Sequence, residues 1–139
     1  MKYFSLPIVL ALSTVCFATA TSVSDFEYKI VDKEVVVPDK IEECPVTALG
    51  DYSFSTNGVL RSVVLPGDLL TLGARCFYQC TNLVNIEIPE KVTTIGRYAF
   101  GGCIRLQTIN IPAGVEEIGE RAFVNSSATI QVDEDNASY

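Results

Sequence analysis

The sequence contains no histidine among its 139 residues. Histidine is the usual general base near neutral pH and the commonest metal ligand, so its absence removes both roles. The chain also lacks a phosphate-binding glycine loop and a Gly-x-Ser-x-Gly nucleophile elbow. Its clearest carboxylate pair, Glu116 and Glu117, is adjacent in sequence, and adjacent residues of a strand point to opposite faces. We therefore predict no enzyme activity, no cofactor and no metal.

Positive charge is also scarce. Ten Lys and Arg residues stand against 17 Asp and Glu residues, which gives a net charge of -7. Nucleic acids and anionic lipids are bound through basic surfaces, because basic side chains must neutralise their phosphates. The composition therefore argues against nucleic acid and against an anionic membrane surface as the partner.

The chain has only one long apolar run, which lies near the N-terminus. It extends from Tyr3 to Phe17 and is shorter than the ~20 residues that a membrane span needs. Lys2 precedes it, and the small residues of Ala18-Thr19-Ala20 follow it, as at a signal-peptide cleavage site. We predict a signal peptide at residues 1–20. The remaining chain should be secreted or placed at the cell surface, with no integral membrane span.

A repeat of 23 residues organises the rest of the sequence. The positions that recur include Gly50, Gly73, Gly96 and Gly119, and also Phe54, Phe77, Phe100 and Phe123. A fixed period of roughly 20–50 residues is typical of a solenoid, in which each repeat forms one coil. We therefore predict that these glycines and phenylalanines are structural, and that stacked coils bury the repeated apolar residues.

The clearest unit begins at Leu83 and reads LVNIEIPEKVTTIGRYAFGGC. Its apolar residues have strand spacing up to Pro89, which cannot donate a ladder hydrogen bond and ends the strand. A glycine stands at the position of Gly96 in every unit, which predicts a turn with positive φ. Residues 98–103 predict one helical or 3₁₀ turn whose apolar side chains face inward.

The repeat is less regular at both ends. Residues 26–37 alternate as in two short strands, and we predict a hairpin that caps the first coil. Residues 38–133 then form the repeats, and residues 134–139 form a tail. In the last unit, Ser126 stands where the two preceding units have cysteine, and Thr129 stands where the other units have leucine.

The first unit is longer than the others. Gly50 lies 12 positions after Pro38, whereas Gly73 lies 7 positions after Pro66. The five additional residues are expected around residues 42–45.

Four cysteines remain after removal of the signal peptide: Cys44, Cys76, Cys80 and Cys103. Cys80 and Cys103 occupy equivalent positions, so they should stack ~4.8 Å apart, within the range of a disulfide. Both should also point inward beside phenylalanines, where small buried thiols are common. Buried thiols are the favoured interpretation, and a disulfide or a metal site are the alternatives.

The outward residues of the predicted strands are the candidate binding surface. They are Ser62, Val64, Asn85, Glu87, Thr108 and Asn110. Stacking would place them in two columns on a parallel sheet, and solenoids commonly bind partners on such a face. The alternative is a solvated sheet with no partner. Asn125 and Asn136 begin glycosylation sequons, which matter only if a eukaryote makes the protein.

The pattern LxxIxIPxxVxxIGxxAFxxC resembles the BspA-type leucine-rich repeat, and the resemblance extends from Val35 to about Val132. One departure from more familiar leucine-rich repeats is Lys91, which occupies a position of their asparagine ladder. The resemblance implies a domain at residues 21–139 with an α/β fold: a right-handed leucine-rich-repeat solenoid of parallel strands, about four coils and an N-terminal hairpin cap. It also implies a non-catalytic, adhesin-like module for a host or extracellular matrix protein. The alternative is an accessory fragment or assembly subunit without a ligand.

Overall fold

The computed structural model describes residues 2–4, 28–41 and 44–139, which form a parallel-strand solenoid of about four coils. The predicted cleavage site of the signal peptide lies outside these residues. The strands are β1 (Lys2–Phe4), β2 (Tyr28–Val31), β3 (Glu34–Val36), β4 (Lys40–Ile41), β5 (Cys44–Pro45), β6 (Ala48–Leu49), β7 (Ser62–Val64), β8 (Thr71–Leu72), β9 (Asn85–Ile86), β10 (Thr94–Ile95), β11 (Thr108–Ile111), β12 (Glu117–Ile118) and β13 (Thr129–Val132).

Each coil has three sides. The front side contains β3, β7, β9, β11 and β13, and the short-strand side contains β6, β8, β10 and β12. The turn side contains residues 51–58, 74–81, 97–104 and 120–127. On the short-strand side Leu49, Leu72, Ile95 and Ile118 are aligned by parallel pairing, at steps of 23 residues. The sequence period is therefore the length of one coil.

The described residues contain no helix, so the helical part of the α/β prediction is not confirmed. On the turn side, N–H groups alternate between two kinds of acceptor. Ala99 N donates to Gly96 O in its own coil at 3.2 Å, and Phe100 N donates to Ala122 O in the next coil at 2.7 Å. Because every second N–H leaves its coil, the i→i+4 hydrogen bonds of a helix do not form. The segment predicted as a helical or 3₁₀ turn is a series of linked turns.

The recurring glycine does not have positive φ, so that prediction was wrong. Gly102 is the only glycine of the described residues in the left-handed region, with φ 75°. A Cβ atom on Gly96 would lie 2.6 Å from Ala74 N and 2.6 Å from Gly73 C. Glycine recurs at this corner because the backbones of successive coils touch there, and only a residue without Cβ fits.

The left-handed residues of the turn side lie two and six positions after the recurring glycine. They are Tyr52, Arg75, Tyr98 and Arg121, and also Thr56, Gln79, Gly102 and Asn125. This conformation costs roughly 1–2 kcal/mol for a residue with a side chain. The cross-coil hydrogen bonds of the turn side offset that cost, because they form only when the chain turns at these positions.

Stacked phenylalanines run through the interior. The ring centroids of Phe54 and Phe77 are 5.3 Å apart, those of Phe77 and Phe100 are 5.4 Å apart, and those of Phe100 and Phe123 are 5.5 Å apart. The first three rings are buried, and Phe123 is half-buried at the end of the column. Leu60, Leu83 and Leu106 form a second buried column, so the inward positions agree with the repeat.

The predicted hairpin is present between β2 and β3, which pair antiparallel. Asp32 and Lys33 connect them with φ of 49° and 70°, as expected for a two-residue turn between twisted strands. β3 then pairs in parallel with β7, which joins the hairpin to the front side. β1 pairs antiparallel with β2. The capping role of the hairpin and the handedness of the solenoid stay predictions.

The two irregular coils have separate structural explanations. In the first coil, β4 and β5 pair antiparallel, and this small hairpin lies where the five additional residues are expected. In the last coil, Thr129 pairs with Thr108, a step of 21 residues. The interpretation of Thr129 as a replacement for leucine was therefore wrong, because this coil is two residues shorter than the others.

Candidate functional site

The outward residues of the front side form rows. Parallel pairing aligns Glu34 with Ser62 and Asn85, and it aligns Val36 with Val64. Ser62 is half-buried and donates a hydrogen bond to Glu34 Oε2 at 2.7 Å, while the other four side chains are exposed. Exposed Val36 and Val64 give this part of the surface an apolar centre between polar residues.

Two adjoining grooves follow these rows. The first, of about 500 Å³, is lined by Ser62, Val64, Asn85 and Glu87 among others. The second, of about 450 Å³, is lined by residues that include Glu87, Asn110, Gln131, Asp133 and Glu134. The structure therefore brings five of the six predicted residues to two grooves that share Glu87. Thr108 is exposed and lines neither groove.

The electrostatic character of the grooves is acidic. Glu87 and Glu90 line both, and Asp133 and Glu134 line the second. No lysine or arginine of the described residues lines either groove. Such a surface suits a protein partner that presents basic and apolar side chains, because complementary charge steers association and fixes orientation.

The three cysteines of the repeats are free and buried: Cys76, Cys80 and Cys103. The Cys80 thiol donates to Phe54 O at 3.0 Å, and the Cys103 thiol donates to Phe77 O at 3.2 Å. Equivalent cysteines therefore make equivalent hydrogen bonds to the preceding coil. For these three cysteines the favoured interpretation from the sequence is confirmed, and the hydrogen bonds are a role that the sequence did not indicate. Cys44 differs from them, because it is disulfide-bonded.

We expect the stability of the protein to fall as the pH rises from 9 toward 12. Burial raises the pKa of the Cys80 thiol from an ordinary value of 9.0 to about 12, and the nearby Cys103 is a second cause. Burial also raises the pKa of the Cys103 thiol to about 12. Below pH 9 the thiols are protonated in both states and stability is unaffected. Above it the unfolded chain loses these protons first, which favours unfolding.

Urea denaturation at a series of pH values measures this effect. Tyrosine and lysine titrate in the same range, so the control is the double variant Cys80→Ala/Cys103→Ala, whose stability should depend less on pH. Equal pH dependence of the two proteins would contradict the thiol assignment. Mass spectrometry should also find both cysteines protected from alkylation in the native protein and modified after denaturation.

The two sequon asparagines occupy different environments. Asn125 is exposed, whereas only 7% of the surface of Asn136 is accessible. Asn136 Nδ2 donates to Pro112 O at 2.9 Å and to Val115 O at 3.1 Å, and its Oδ1 accepts two backbone N–H groups that follow it. A glycan on Asn136 would therefore have to be attached before folding. This asparagine holds the C-terminal segment on the last coil, a role that the sequence did not indicate.

A second group of side chains was missed by sequence reasoning. The guanidinium of Arg75 lies 5.5 Å from the ring centroid of Tyr52 and 5.1 Å from that of Tyr98. Arg121 Nη1 donates to the Tyr98 hydroxyl at 2.9 Å. The hydrogen bonds from Arg121 and then Arg97 lower the pKa of Tyr98. These residues form a tyrosine–arginine stack at one corner of the turn side.

In the part of the chain that the structure describes, no group of three or more His, Cys, Asp or Glu residues is arranged to hold a metal ion. Within the same residues, no helix is long and apolar enough to cross a membrane.

The chain matches the family model of the BspA type leucine rich repeat region, in six copies, over residues 26–130. A comparison with curated proteins found no match. Among solved structures, a leucine-rich repeat protein from Bacteroides ovatus has 26% sequence identity and a TM-score of 0.64, over 73% of this chain and 30% of that chain. One from Bacteroides capillosus has 27% identity and a TM-score of 0.66, over 73% of this chain and 77% of that chain.

The T. pallidum leucine rich repeat protein is similar in fold, with 24% identity and a TM-score of 0.54 over 66% of this chain and 53% of that chain. The family match covers most of the chain and ends within β13 of the last coil. The chain belongs to the BspA-type leucine-rich-repeat family.

Proposed function

We propose that the chain is a non-catalytic protein-binding module, secreted or at the cell surface, which holds its partner on the front side. The observation that carries this proposal is the pair of grooves that share Glu87 and contain five outward strand residues. Membership of a repeat family supports it, because solenoids of this kind generally serve as binding scaffolds. An adhesin-like role toward a host or extracellular matrix protein fits such a surface.

The proposed mechanism is recognition by a rigid surface. The outward side chains project from strands that are held to neighbouring coils by backbone hydrogen bonds. Little rearrangement is therefore needed on binding. Val36 and Val64 supply apolar contact, Asn85 and Asn110 supply hydrogen bonds, and Glu87 supplies charge.

The test is a binding screen of the purified chain against immobilised extracellular matrix proteins, with the double variant Glu87→Arg/Asn110→Arg. This variant reverses the charge between the grooves, and we expect binding to fall at least tenfold. The control, Glu116→Arg/Glu117→Gln, changes the net charge by the same amount at two exposed residues of the short-strand side. Unchanged binding by the front-side variant, or an equal loss by the control, would show that the proposed surface is wrong.

The accessory or assembly role is the second candidate, and one observation favours it. β13 pairs only with β11 among the described strands, and its Ile130 and Val132 are 45% and 41% exposed. An exposed strand edge with apolar side chains can pair with another chain. Sedimentation that shows stable self-association, together with no binding in the screen, would favour this candidate.

A further inference from the structure

The arginines of the protein are confined to one part of each coil. All five lie within four aligned segments, residues 51–61, 74–84, 97–107 and 120–130, which contain only two carboxylates, Asp51 and Glu120. Five arginines against two carboxylates give these segments a local charge of +3, although the whole chain carries -7. The segments correspond to the turn side and its two corners. The turn side together with its two corners is therefore cationic, while the grooves of the front side are acidic.

One corner of the turn side contains a groove with unbalanced charge. Lys33, Arg61 and Arg105 line it, and its volume is about 450 Å³. Among the described residues, no carboxylate lines it, and none of the three cations takes part in a salt bridge. Arg105 Nη1 donates to Asn82 Oδ1 at 3.1 Å, and both residues line the groove. With respect to the part of the chain that the structure describes, these cations are available to an anion from outside the chain.

The other corner carries the tyrosine–arginine stack of Tyr52, Arg75, Tyr98 and Arg121. Arg75 packs against three tyrosine rings, which restricts its rotamers. Less side-chain entropy is therefore lost when a partner binds. Tyrosine and arginine are also the residue types enriched among the residues that dominate protein–protein affinity. This corner therefore has the composition of an interface. Its charge is partly balanced, because Glu120 forms salt bridges with Arg97 and Arg121.

We propose that the turn side is a second interaction surface, which binds an extended acidic segment of a partner protein. Guanidinium groups form paired hydrogen bonds to carboxylates, and the exposed ring of Tyr52 and the half-buried ring of Tyr98 give apolar contact beside them. Arginines one or two coils apart are separated by ~5 or ~10 Å, and alternate side chains of an extended peptide are separated by ~7 Å. A peptide that lies along the stacked coils can therefore place several carboxylates near arginines.

The test uses a fluorescently labelled peptide of twelve glutamates and measures its anisotropy with the full chain at low salt and at 150 mM salt. Both molecules carry net negative charge, so binding requires a local cationic surface. We expect binding at low salt that weakens as salt screens the charges. A glutamine peptide of the same length should not bind. Absence of binding by the glutamate peptide at low salt would overturn the proposal.

Two charge-matched variants locate the surface. Arg61→Gln/Arg105→Gln removes two exposed, unpaired cations from the groove, and we expect the peptide to bind at least tenfold more weakly. Lys40→Gln/Lys91→Gln removes the same charge outside the turn side and should change binding less than twofold. Equal losses by the two variants would overturn the proposal. So would tight binding of a heparin fragment without binding of the peptide, which would identify the partner as an acidic polysaccharide.

Discussion

Gly96→Ala is expected to destabilise the protein by at least about 3 kcal/mol, or to prevent folding. The added Cβ would lie 2.6 Å from two backbone atoms of the preceding coil, and backbone atoms cannot rotate away as a side chain can. Gly96 N also donates to Leu72 O at 2.7 Å, and Gly119 N donates to Ile95 O at 2.7 Å. Separating the coils enough to admit a methyl group would stretch the hydrogen bonds on both sides of this coil.

Gly67→Ala is the matched control for this prediction. A Cβ atom on Gly67 would meet no atom within 4 Å, and φ of this residue is not in the left-handed region. The substitution should be neutral or stabilise the protein by up to about 1 kcal/mol, because alanine restricts the unfolded chain. Urea denaturation followed by circular dichroism measures both variants. If Gly96→Ala unfolds at the same urea concentration as Gly67→Ala, close packing of the coils at this corner is not the reason for the glycine.

Phe100→Ala is expected to lower the free energy of unfolding by about 3–5 kcal/mol. The ring is fully buried and is stacked between Phe77 and Phe123, with interplanar angles of 12° and 2°. Its removal would leave a cavity in the middle of the column and would also remove two ring contacts. The surrounding coils cannot close over this cavity, because hydrogen bonds on all three sides fix their separation.

The comparison for Phe100 is Phe123→Ala. Phe123 has a ring neighbour on one side only among the described residues, and it is half-buried. We expect a loss of about half that of the Phe100 variant or less, because less apolar area returns to water on unfolding. Thermal unfolding with both variants checks the difference. Equal losses, or a loss below about 1 kcal/mol for Phe100→Ala, would contradict the stacked column.

Much of the architecture could be predicted from the sequence, because a solenoid repeats its inward residues at the length of its coil. The buried phenylalanines and the longer first coil follow from the spacing of the repeated residues. The predicted strand end at the recurring proline is confirmed for β11, which ends directly before Pro112. β7 and β9 end earlier, two and three positions before Pro66 and Pro89. The candidate surface was predictable for the same reason. Side chains of a strand alternate, so the residues between inward positions must face outward.

Other features could not be predicted, because they depend on contacts between coils. Tyr98 and Arg75 adopt a left-handed conformation that their residue types disfavour, since hydrogen bonds to the next coil offset the cost. The two-residue shortening of the last coil became apparent only from the pairing of Thr129 with Thr108. The role of Asn136 depends on two carbonyl groups more than 20 positions away in the sequence.

The recurring glycine separates what the sequence determined from what the tertiary structure decided. By itself the sequence determined the coil length, the inward residues and the need for glycine at this position. It did not determine whether the reason was a left-handed φ or a close approach of backbones, because both demands select glycine. The tertiary structure decided this, since the distance from Gly96 to the preceding coil exists only after the coils stack. The same stacking brings five arginines, which are scattered along the sequence, to one side of the solenoid.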